Sequence, residues 1–146
     1  MKILVIHGPN TPLIGKITAG TDKRLTLDKI DKSLRSRSKE LELEIKILQY
    51  YNESKIVKII SQNRNSVNGI LINPTSLSLT CYSIREIISI TKIPTVEVIL
   101  KEFPFSNEYY KKSVLKEVVS DRIYDSGIYA YIKGLNSIYK IIISKK

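Results

Sequence analysis

Short apolar runs that stop at glycine, proline or asparagine alternate along this chain with segments of helical spacing. That alternation constrains the fold more than any single motif does. Ile3, Leu4, Val5 and Ile6 run into His7-Gly8-Pro9; residues 69–72 read Gly-Ile-Leu-Ile and stop at Asn73-Pro74; residues 94–100 read as another strand. A short apolar run bounded by turn formers is the pattern of a strand buried on both faces. Leu43, Ile45 and Ile47 alternate instead with Glu44 and Lys46, the pattern of an edge strand with one wet face. Residues 118–123 are the candidate for a fifth strand.

Between the strands the period changes. Thr26 is a candidate N-cap for a helix carrying Leu27, Ile30, Leu34 and Leu41. Ile56, Ile59 and Ile60 form a short helical stripe, and Ile84, Ile87, Ile88 and Thr91 share a face with Thr80 near the start. Ile128, Tyr131, Ile132, Leu135, Ile138 and Ile142 predict a long closing helix. Residues 8–24, rich in Gly, Pro, Asn and Thr, read as a long loop. Strand–helix alternation of this kind predicts an α/β fold, an open five-stranded parallel sheet with helices on both faces. Ligands of such sheets bind beyond the carboxyl ends of the strands. His7 to Asn10, Asn73-Pro74 and Ile99 to Glu102 all fall there, which predicts a pocket.

The chain has 146 residues, the size of one ordinary domain. Its apolar part after Met1 is too short for a signal peptide, and no stretch is long enough to span a membrane. With a single cysteine, Cys81, no internal disulfide framework is possible, and a cytoplasmic setting is the expectation. The net charge of +10 permits an acidic partner. The lysines are scattered, however, and nucleic-acid binding is not the expectation.

Read without reference to any family, the chemistry-bearing residues are few. His7 is the only histidine, so His7 and Cys81 cannot build a zinc site. Gly15 and Gly20 do not fit a dinucleotide or phosphate loop, and no cofactor is expected. Cys81 lies at an expected helix start, where a thiolate is favoured, and its strand neighbours that of His7. A Cys–His nucleophile is therefore one reading; a hydrogen-bonded structural histidine and an inert buried thiol is the other. Asn10 and Asn73 likewise read as turn formers or as ligand-holding amides.

The opening Lys2-Ile3-Leu4-Val5-Ile6-His7-Gly8-Pro9-Asn10 resembles the first strand and loop of type II 3-dehydroquinate dehydratases. Further matches follow in order: Leu25-Thr26-Leu27, Gln49 with Glu53, residues 70–74, Ile84-Arg85-Glu86, Pro94 with Val96-Glu97-Val98, Ser113, Gly127 and Tyr131. The resemblance implies one domain over residues 1–146, a flavodoxin-like fold, and trimers assembled into a dodecamer. It also implies dehydration of a cyclic hydroxy-ketone acid. In that reaction a tyrosine kept basic by an arginine removes a proton beside the ketone, and a histidine protonates the departing hydroxyl.

Transferred position by position, the resemblance implies a substrate site at Asn10, Asn73 and Glu86, with the Leu100 and Lys101 backbone N–H groups holding the carboxylate. The catalytic side chains are replaced. Asp22 stands for the tyrosine, Ile17 for the lid arginine and Ile99 for the acid histidine; Leu79 stands for a second histidine and Tyr110 for a further arginine. The expectation is a dehydroquinase-like protein impaired as a dehydratase that keeps a pocket for a small carboxylate or phosphate. Lys16, Lys23, Arg24 and Lys101 would raise the potential there. Altered chemistry on Asp22, His7 or Cys81, or a non-catalytic scaffold with a basic surface, are the alternatives.

Overall fold

A computed structural model describes residues 1–20 and 24–145. The first strand, β1 (Lys2–His7), leads into a 3-10 turn (Thr11–Leu13) and a short helix α1 (Ile14–Ile17). There follow α2 (Leu27–Glu40), β2 (Glu44–Gln49), α3 (Glu53–Asn63), β3 (Gly69–Asn73), a second 3-10 turn (Thr75–Leu79) and α4 (Tyr82–Thr91). The chain ends with β4 (Thr95–Leu100), α5 (Ser106–Lys112), β5 (Asp121–Asp125) and α6 (Gly127–Ser144). The strands form one sheet of order β2-β1-β3-β4-β5, and every pairing is parallel.

The apolar runs occupy the sheet centre. β3 and β4 are buried at every residue and β1 at all but Lys2, whereas β2 and β5 are partly wet and form the two edges. Side chains alternate between faces. Ile3, Val5, Leu71, Val96 and Val98 pack under α2 and α6; Leu4, Ile6, Ile70 and Ile72 pack under α3 and α4. Each fully buried aliphatic side chain contributes about 1.5–3 kcal/mol by leaving water. α6 crosses the sheet at close range because Gly134 has no side chain: a Cβ there would lie 2.7 Å from Leu71. The start of α2 is capped as the sequence suggests, Thr26 Oγ1 accepting from the Lys29 N–H, and at α3 Asn52 Oδ1 accepts from that of Lys55.

Two expectations need correction. The fifth strand begins at Asp121 rather than 118, because the Val118 and Val119 N–H groups turn back to the Leu115 carbonyl. Their side chains pack onto the α3/α4 cluster, and Ser120 N–H opens the ladder at Thr95 O. Residues 8–24 are not all loop, since the 3-10 turn and α1 lie within them. Pro12 suits the first turn of a helix; Ile14 is buried, and Thr18 Oγ1 donates to the carbonyls of Ile14 and Leu25. Among the described residues no helix is long and apolar enough to cross a membrane.

Candidate functional site

The carboxyl ends of β1, β3 and β4 converge, as a parallel sheet of this order requires. Gly8 N–H donates to Asn73 O at 2.8 Å, and Thr75 Oγ1 donates to Pro9 O at 2.8 Å. The two loops touch so closely that a Cβ at position 8 would meet Pro74 O at 2.6 Å. Glycine is the residue that fits.

Asn73 is the hub of this junction. Its side chain is buried; Oδ1 accepts from Thr75 N–H at 3.2 Å, and Nδ2 donates to the Tyr131 hydroxyl at 2.7 Å. Burial pushes the Tyr131 phenol far above its ordinary range, the Asn73 bond opposes that, and the Asp31 and Glu102 carboxylates add to it. His7 sits edge-on to Tyr131 with ring centroids 5.6 Å apart. It is 1% exposed, its Nε2 lies 2.8 Å from Asp31 Oδ1, and its Nδ1 has no partner.

A cavity of about 10 Å³, room for one water molecule, lies between β3 and β4. Asn73, Thr75, Ser78, Ile99, Leu100 and Tyr109 line it, and the buried Ser78 Oγ has no partner. Lys101 N–H donates to Asp125 O at 2.9 Å, so that donor belongs to the β4–β5 ladder. Successive amides of a strand point to opposite sides. The Leu100 N–H therefore points to the β3 side, beyond the last registered pair, Ile72 with Glu97. Of the two donors foreseen for a carboxylate, one is engaged and one faces the cavity.

The other foreseen residues are dispersed. Asn10 is exposed, holds φ 67° and makes no side-chain cap. Glu86 is exposed on the outer face of α4. Lys16 and Arg24 line a separate open hollow with Pro12 and Leu13. Asp22 and Lys23 lie outside the described residues.

The model of the family described as Dehydroquinase class II matches residues 1–139. The chain belongs to the class II dehydroquinase family. It is 34% identical over 141 residues to the 3-dehydroquinate dehydratase of Endomicrobium trichonymphae, covering 97% of this chain and 99% of that one. The 3-dehydroquinate dehydratase of Clostridium botulinum strain 657 is 33% identical over 145 residues, 99% of each chain. The type II dehydroquinase of Butyrivibrio crossotus superposes with a TM-score of 0.79 at 26% identity, covering 94% and 97%. A 3-dehydroquinate dehydratase-like protein from Bifidobacterium longum shares the fold, with a TM-score of 0.69 at 21% identity.

At the positions that the dehydroquinase resemblance marks as catalytic, Ile17 and Leu79 are half-buried, Ile99 is buried and Tyr110 is 39% exposed. Cys81 does precede α4, but it fits the inert buried thiol of the two readings, and a thiolate there is disfavoured. Burial, with Glu53 and Glu97 adding, pushes its thiol from 9.0 up to about 12. Sequence reasoning missed Asp31, Ser78, Tyr109 and the buried Glu97–Arg122 pair. Asp31, Ser78, Tyr109 and Arg122 carry no motif; Glu97 and Tyr131 enter only among the matches to the family, and Tyr131 otherwise shows as one member of an apolar stripe.

Proposed function

We propose that this member of the class II dehydroquinase family does not turn over 3-dehydroquinate efficiently. The observation that carries the reading is Ile99, whose buried side chain lines the β3–β4 cavity where the resemblance expects the acid histidine. Hydroxide leaves poorly without a proton, and a positioned acid is worth about 10²- to 10⁴-fold. The remaining imidazole is not free to substitute, because His7 is shielded and tied to Asp31. Tyr131 is bound to Asn73, and burial keeps its phenol protonated, so it cannot accept the substrate proton. New chemistry on Cys81 or His7 is weakened by the same burial.

A small carboxylate is the ligand in this reading, and the one-water cavity has to widen to admit it. The Leu100 N–H and the unpartnered Ser78 hydroxyl supply two donors at the cavity. Engagement of the Lys101 N–H in the β4–β5 ladder sets a low affinity. Self-association belongs to the same proposal: Tyr82 and Ile90, 64% and 68% exposed, flank Glu86 at helical spacing on α4, and a strictly monomeric sedimentation profile contradicts it.

The test is restoration. Ile17→Arg, Asp22→Tyr and Ile99→His together are expected to raise enone formation from 3-dehydroquinate well above each single change, since such groups act as a unit. If the unaltered chain already matches the triple variant, the reading fails.

A further inference from the structure

Tyr109 of α5 lines the cavity beside Ser78, and α5 is a weakly rooted element. Only Ser106 of its seven residues is buried, and its N-terminus has no side-chain cap. Phe105, the residue before it, is 67% exposed and holds φ 62°, a conformation that costs energy in a bulky residue. Little apolar burial therefore holds α5 down.

Polar and ring contacts do so instead, and two residues of β5 supply most of them. Arg122 Nη2 donates to the Tyr110 carbonyl at 2.5 Å, and its guanidinium stands 4.7 Å from the Tyr110 ring centroid. Tyr124 stacks on Tyr110 with centroids 4.8 Å apart, and its hydroxyl lies 3.4 Å from Ser106 Oγ. The register pairs Arg122 with Glu97 and Tyr124 with Ile99, so both side chains leave the sheet on the face where Ile99 lines the cavity. Arg122 is itself anchored, its Nε donating to Glu97 Oε1 at 2.7 Å.

We propose that α5 is a gate over the Ser78 cavity, that Arg122 and Tyr124 are its latch, and that a small carboxylate enters only when the latch releases. The gating half stands on these contacts; the ligand half rests on the anion reading above. A segment with few buried apolar contacts opens locally at a free energy far below that of global unfolding. Losing one ring of the Tyr110–Tyr124 stack therefore raises the open population without unfolding the sheet.

The experiment places a reporter thiol in the cavity by Ser78→Cys in a Cys81→Ala background and follows its alkylation by iodoacetamide. Adding Tyr124→Ala, or separately Tyr110→Ala at the exposed partner, is expected to speed labelling by about tenfold or more. Amide exchange should rise in α5 while β1 and α6 stay protected. Unchanged labelling in both variants, or acceleration only in step with exchange in α6, overturns the gate. Iodoacetate, which carries a carboxylate, is run beside iodoacetamide with glutathione as reference. A higher iodoacetate-to-iodoacetamide ratio at the introduced thiol than at glutathione supports the ligand half. No such preference, with the latch effect intact, overturns the anion reading and leaves the gate standing.

Discussion

The Asn73 side-chain amide donates to the Tyr131 hydroxyl at 2.7 Å, joining the carboxyl end of β3 to the second turn of α6. Tyr131→Phe removes only the acceptor and leaves a buried N–H unsatisfied, at a cost of about 1–3 kcal/mol. Urea denaturation should show that loss. Asn73→Leu combined with Tyr131→Phe should cost less than the two single changes summed, because neither polar group is then stranded.

Glu97 and Arg122 form the most buried ion pair among the described residues, at 0% and 13% side-chain exposure. Ser113 Oγ donates to the second carboxylate oxygen at 2.6 Å. Arg122→Met leaves a buried carboxylate without its cation and should destabilise the fold by about 3–5 kcal/mol. Glu97→Gln added to it should recover much of that, since the amide oxygen still accepts from Ser113. Equal midpoints for the single and double variants contradict the pairing.

Alkaline stability reports Cys81. A group whose folded value is raised from 9.0 to about 12 keeps its proton in the folded state while the unfolded chain loses it. Stability is therefore fully present below pH 9 and falls between pH 9 and 12, by up to about 1.4 kcal/mol per pH unit. Tyr131, raised from 10.0, adds a second loss that begins one unit higher. Denaturation midpoints followed from pH 8 to 11 should fall, and Cys81→Ala should flatten the part below pH 10. A slope unchanged by Cys81→Ala contradicts this account.

The sheet was legible because its strands differ in pattern according to their place. Residues 3–6 and 69–72 are continuously apolar and lie at the centre, while the alternation of Leu43, Ile45 and Ile47 marks an edge. β5 was misplaced because Val118 and Val119 are good strand formers that tertiary packing holds in a turn. α5 was not foreseen, since the sequence Ser-Asn-Glu-Tyr-Tyr-Lys-Lys has no apolar period and is held by β5 side chains. At the site, the stop position of Asn73 after a buried run leaves a turn former and a ligand-holding amide both open, and only the resemblance singles it out. Its bond to Tyr131 is not legible, because a hydroxyl among helical apolar positions reads as packing. The Lys101 N–H was foreseen as a ligand donor, yet which strand neighbour takes a given amide follows from register, which no local motif encodes.

The measurement that bears most directly on the central claim is the ultraviolet rise of the enone product when the purified chain meets 3-dehydroquinate at neutral pH. With Ile99 at the acid position and His7 shielded behind Asp31, the predicted trace does not exceed the uncatalysed rate at micromolar protein. A kcat/KM of about 10⁴ M⁻¹s⁻¹, ordinary for an enzyme, contradicts the account.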